Sequence, residues 1–241
     1  MKTQIDLDEF IPAMDTPDKV YQLFSSLGYQ VLDSNLKTNP SVYNLPAKEA
    51  ALVEKIFAVS NYDRRFQILL FKFKAEGPEQ SRREAIRTIP EKILREVDFP
   101  FIIFTPDFKT YTFTLVEKVR EGPGEFKRKL TRLSVDCDNS YYTDKEVISN
   151  FFLQDEIKSP KEIYKIIQDA MSVERVTAKF FKEYKEVFFA LKTNFTKQAN
   201  DTRMAHDFTQ QLMNRIMFLY FIAKKRWVGD DINFLKKFWS S

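Results

Sequence analysis

Phe101-Ile102-Ile103-Phe104 is the stretch that most narrows what this chain can become. Four consecutive large apolar residues, closed by Thr105-Pro106-Asp107, leave no polar face for water. A run this short and β-branched reads as a strand covered on both faces, the centre of a sheet. Before it, Glu79 to Glu96 reads as a charged helix with Ala85, Ile86, Ile89, Ile93 and Leu94 as its apolar residues. Pro90 inside that helix predicts a kink or a break. Earlier still, Phe66 to Lys74 reads as a strand. After the central run, Thr110 to Val116 alternates Tyr111, Phe113 and Leu115, as a half-buried strand does. Phe126 to Val135 alternates Leu130, Leu133 and Val135 with basic residues. Pro106-Asp107 and Gly122-Pro123-Gly124 supply turns. These strands, with a helix among them, predict a mixed β-sheet.

The remainder is mostly helical. Thr16-Pro17-Asp18 opens a helix striped by Val20, Leu23, Phe24 and Leu27 and closed by Gly28. Asn35 to Pro46 reads as a loop. Ala47 to Tyr62 fits helix at Lys48 to Leu52 and strand at Ile56 to Val59. Asn61 to Arg65 is a turn. Thr143 with Glu146, and Ser159 with Glu162, form two capping boxes. A long helix follows, striped by Val173, Val176, Phe180, Tyr184, Val187, Leu191 and Phe195. Another runs from Phe208 to Trp227 and becomes apolar all round from Ile216 to Ala223, which predicts burial in a protein core. Lys224, Lys225 and Arg226 complement its negative end, Gly229 offers a left-handed exit, and a short helix starts near Asp230. Strands first and helices after give an α+β fold: a mixed-sheet domain over 1–138 and an all-α connector over 139–241.

Charge and rare residues exclude several chemistries. One cysteine, Cys137, rules out an internal disulfide framework, and one histidine, His206, rules out a multi-histidine metal centre. His206 reads as a surface or capping residue, and Asn214 with Arg215 as a bridge between helices. The start, Met1 to Phe10, is acidic and lacks the apolar stretch of a signal peptide. No window is apolar enough for a membrane span, so the expected location is the cytoplasm, without a membrane partner. The net charge of +4 is unevenly spread. Acids dominate the first thirty-odd residues, and cations cluster at Arg64-Arg65, Arg82-Arg83, Lys127-Arg128-Lys129 with Arg132, and Lys224-Lys225-Arg226. Clusters of this kind bind phosphates, or simply form a solvated face.

Gln210-Gln211-Leu212-x-Asn214-Arg215-x-x-Phe218-Leu219-Tyr220-Phe221-x-x-Lys224-Lys225-x-Trp227, with Leu235 and Phe238 beyond, resembles a helical segment of fused restriction–modification enzymes. These are the type IIG-like proteins that carry an adenine-specific DNA methyltransferase. The resemblance covers Phe180 to Trp239. It implies that this segment joins an N-terminal nuclease-type domain to a methyltransferase. The expected partners are then DNA and that methyltransferase domain, with S-adenosylmethionine bound only there. The chain itself lacks the Asn-Pro-Pro-Tyr and Gly-rich loops of methylation, and reads as an N-terminal piece of something longer.

The element order from Pro17 to Thr105 is similar to the core of PD-(D/E)xK nucleases. Such chemistry gathers two acids on Mg²⁺ beside a lysine that stabilises the phosphate charge. The resemblance points to Asp63, Lys72 and Lys74 as catalytic candidates and to Asp63 and Glu76 as metal ligands. Leu70 stands two residues before Lys72, where the second acid belongs, so the motif is degenerate and the isolated chain is expected not to cut. Arg82, Arg83, Lys127, Arg128, Lys129, Lys224, Lys225 and Arg226 are the DNA-binding candidates. The alternatives are an active Mg²⁺-dependent endonuclease with a rearranged acid, and a structural or partner-binding module without DNA contact.

Overall fold

The computed structural model describes residues 6–33, 37–38, 43–122, 125–154, 159–199, 201–225, 227–228 and 234–240. The chain divides into two units, Met1–Ser172 and Val173–Ser241.

The first unit is α+β. Its strands are β1 (Lys37–Thr38), β2 (Val53–Tyr62), β3 (Phe66–Phe73), β4 (Phe99–Thr105), β5 (Thr110–Gly122) and β6 (Glu125–Asp136), hydrogen-bonded in that order. Its helices are α1 (Leu7–Phe10), α2 (Pro17–Ser26), α3 (Ala47–Leu52), α4 (Glu79–Glu96), α5 (Tyr142–Ser149) and α6 (Pro160–Ala170). Every neighbouring pair of strands is antiparallel except β3 and β4, which are parallel across the α4 crossover, so the sheet is mixed.

β3 and β4 sit at the centre, and their side chains alternate between two cores. Ile68, Leu70, Phe101 and Ile103 point to one face, with Val20, Leu23 and Phe24 of α2 and with Val147, Ile148, Ile163 and Ile167 of α5 and α6. Leu69, Phe71, Phe73, Ile102 and Phe104 point to the other, beneath Ala85, Ile89 and Ile93 of α4. The apolar run at Phe101 to Phe104 is therefore central and covered on both sides, as its composition requires. α5 and α6 lend so much apolar surface to the first core that they belong to the sheet unit. Tyr29 fastens the chain beyond α5, its hydroxyl donating to Phe151 O at 2.9 Å. The expected boundary at 138 thus moves to Ser172 and Val173.

Several local readings change. Lys37–Thr38, inside the expected loop, pairs with Phe57 and Ile56 at the sheet edge. The ambiguous stretch Ala47 to Tyr62 is both structures in succession, α3 and then β2. α4 runs as one element through Pro90, because Ile89, Pro90 and Ile93 are all buried against the sheet and hold both halves in place. The Ser159–Glu162 capping box forms, with Ser159 Oγ accepting from Glu162 N and Ser159 N donating to Glu162 Oε2. The other box shifts two residues upstream: Tyr141 N donates to Asp144 Oδ2 at 3.1 Å.

The second unit comprises α7 (Val173–Ala199), α8 (Thr202–Lys224) and α9 (Phe234–Ser240). Asp201 caps α8 by accepting from Arg203 N and Met204 N. Phe195 meets Phe208 edge to face at 4.7 Å between centroids. Ala205, Thr209 and Ala223 form the buried stripe of α8. Here the expectation of a fully buried helix fails: Phe218 is 61% exposed and Leu219 41%. The apolar run exceeds what a stripe of small residues can cover. Gly229 lies outside the described residues.

Candidate nucleic-acid interface

The hairpin geometry of β2 and β3 decides the fate of the expected catalytic group. Asp63 lies in the turn joining these strands, exposed, at a φ of 53°. Lys72 lies at the opposite end of β3. Six residue steps of about 3.3 Å separate Phe66 from Lys72, so roughly 20 Å of strand stands between turn and lysine. Asp63 and Lys72 are therefore not brought together, and a shared metal at Asp63 and Glu76 meets the same obstacle. Glu76 is exposed beyond the end of β3, and Lys74 is exposed while its backbone N donates to Leu52 O at 2.9 Å.

Lys72 is instead a clamp. Its Nζ donates to Phe73 O at 2.9 Å and to Pro106 O at 2.7 Å, and lies 3.4 Å from Glu54 Oε2. It also sits over the Phe108 ring at 5.5 Å. The ammonium ties the end of β3 to the β4–β5 loop. Leu70, two residues earlier, is wholly buried in the first core. Asp107, nearby in that loop, spends Oδ1 on Lys109 N and Thr110 N. Among the described residues, no three metal-binding side chains converge.

A concave feature of the sheet unit lies elsewhere, between α4 and the β5–β6 face. An open groove of about 660 Å³ has Arg82, Arg83, Arg87 and Arg132 on its walls and Phe73, Ile86, Phe104 and Pro106 along its floor. Thr112 and Ser134 face each other across the β5–β6 ladder, their hydroxyls 3.4 Å apart. The helical period places Arg83 and Arg87 one turn apart on α4, and the antiparallel register places Arg132 opposite Thr114. Glu79 also lines the groove, but its carboxylate is paired with Arg83 at 2.5 Å.

A second, shallower groove lies further along the same elements. It is lined by Glu91 of α4, Lys118 of β5, and Lys127 and Arg128 of β6. Arg128 reaches Glu91 at 2.7 Å and so links β6 to α4. Arg128 and Arg132 share a face of β6, four residues and about 13 Å apart. The two grooves thus form a basic track, and it contains Arg82, Arg83, Lys127 and Arg128 from the expected DNA-binding set. Lys129 is exposed and lines neither groove.

The remaining expected cations belong to the second unit. Lys225 is exposed, with its ammonium 5.7 Å from the Phe221 ring centre. The Lys224 side chain and Arg226 lie outside the described residues. His206 is exposed and meets Phe188 edge-on. Asn214 and Arg215 are exposed and line a shallow depression with Phe218 and Leu219 rather than bridging helices. The sequence reading missed Arg87 and Lys118. Arg83 and Arg87 at i and i+4 were a visible signal, whereas Lys118 emerges only from its register opposite Arg128.

Compared with protein-family models, with curated proteins and with solved structures, the chain matches none. No helix among the described residues is long and apolar enough to cross a membrane.

Proposed function

We propose that this chain is the DNA-holding part of a fused restriction–modification protein, with a nuclease-like sheet that grips the phosphate backbone and does not cut it. The observation that supports this reading is the basic track. Guanidinium groups from one helix and one strand face a common groove with hydroxyl donors between them, an arrangement suited to phosphate oxygens. Contacts of this kind supply affinity without reading bases. The lack of cutting rests on Lys72, whose donors are occupied by two carbonyls and Glu54, and on Leu70, whose side chain is sealed in the core. The methyltransferase partner, and S-adenosylmethionine bound to it, rest on the residues from Phe180 to Trp239 alone.

The test incubates the purified chain with plasmid and Mg²⁺ or Mn²⁺, and in parallel measures retention of a labelled duplex. Retention without nicking is the expected result. Nicking that disappears in Asp63→Ala would overturn the non-cutting reading. Absence of retention at low salt would overturn DNA binding and leave the partner-binding module. The exposed aromatic residues of α7 to α9, among them Phe189, Phe218 and Trp239, favour that second reading.

A further inference from the structure

We infer that the groove between α4 and β5–β6 is a pocket for a terminal phosphomonoester, the phosphorylated end of a nucleic-acid strand. This rests on the DNA-holding reading and goes beyond it, because backbone binding needs only a track of charge. Arg82 carries the argument. Arg82 lines the groove wall, and its Nε is buried and has no hydrogen-bond partner among the described residues. A buried guanidinium N–H without an acceptor is destabilising, and an anion in the groove supplies the acceptor. Among the described residues, Thr114 Oγ1 is the other buried side-chain polar atom without a partner, and Thr114 pairs across the strands with Arg132. Both orphaned groups therefore belong to the elements that wall this one groove.

The charge balance selects the ligand. Four arginines face two carboxylates, Glu79 and Asp107, and both carboxylates are already engaged, by Arg83 and by the Lys109 and Thr110 amides. Arg132 makes no ion pair among the described residues. The first turn of α4 adds the positive end of its dipole. An internal phosphodiester brings one charge and two free oxygens. A phosphomonoester brings about −1.5 to −2 charges and three strong acceptor oxygens. The second matches a cluster of guanidinium groups better, because each further oxygen can take a further N–H. The volume, about 660 Å³, lies in the range of small-molecule sites, so one terminal nucleotide fits.

The test compares one oligonucleotide in three forms, bearing a 5′-phosphate, a 3′-phosphate or neither, by fluorescence anisotropy at fixed salt. At least one phosphorylated form should bind about tenfold more tightly than the bare one, as one added charge-assisted contact implies. Inorganic phosphate should compete for that increment. Arg82→Gln and, separately, Arg132→Gln should each abolish the increment, so that phosphorylated and bare forms bind the variant alike, while binding of the bare oligonucleotide weakens by less than that increment. The Arg132 variant, at an exposed position, covers the case in which Arg82→Gln does not fold. Equal binding of all three forms would overturn the terminal-phosphate pocket and leave the backbone track standing. Failure of every form to bind would overturn both. An increment that persists in the folded Arg82 and Arg132 variants would place the phosphate elsewhere and also overturn the proposal.

Discussion

At the scale of single residues, the structure turns two reactive-looking groups into structural ones. Lys72 would be a catalytic lysine by its place in a strand, but it closes the sheet end through Phe73 O and Pro106 O. Lys72→Met should cost about 1–3 kcal/mol, because it strips partners from carbonyls that are mostly shielded from water. A urea midpoint unmoved by that change would remove the clamp. Cys137 is 3% exposed, with its Sγ directed at Met14 O. Burial, then the nearby charges of Asp136, Asp138 and Asp107, pushes its thiol up to about 12. The native state keeps a proton that the unfolded chain releases near about 8.5. Native protein then binds more protons than unfolded protein, so this contribution to stability is whole below about 8.5 and falls as pH rises towards the folded value. Unfolding midpoints at neutral pH and at pH about 10 should differ in that direction, and iodoacetamide should label Cys137 slowly until denaturant is added. Rapid labelling of the folded protein would contradict its burial.

At the scale of elements, the centre of the sheet was legible because composition alone demanded it. Phe101 to Phe104 has no polar face, so only a strand covered on both sides accommodates it. Hydrogen exchange should be slowest at Ile102 and Ile103, and Ile103→Ala should cost about 2–5 kcal/mol in a denaturation curve. Fast exchange there would place the strand at the periphery. α8 was misjudged for a related reason. Periodicity reports which side chains are apolar, and says nothing of what covers them. Leu219, 41% exposed, should therefore lose less than the buried-site range on change to Ala, and a loss as large as that of Ile103→Ala would mean the helix is covered after all. The candidate site was partly legible too. Arg82 and Arg83 stood out as a pair, but their neighbour across the groove, Arg132, is set by the β5–β6 register, which no local pattern reveals. Asp63 and Lys72 looked joinable because they are close in sequence, and the hairpin places them at opposite ends.

At the scale of the whole molecule, the proposed role of the sheet unit is to hold phosphate. The sheet supplies rigidity through two apolar cores, and α4 and β6 carry cations to a shared edge of it. The unit from Val173 onward contributes exposed aromatic surface. Magnesium removal should leave DNA retention unchanged, since guanidinium contacts need no metal; loss of retention in EDTA would point to a metal-dependent site instead. The central claim is the electrostatic grip, and the salt dependence of duplex binding tests it most directly. Log affinity should fall linearly with log salt, and Arg132→Gln should reduce that slope by about 1, equally for unrelated duplex sequences. A parent affinity indifferent to salt, or an Arg132→Gln slope equal to the parent's, would contradict it.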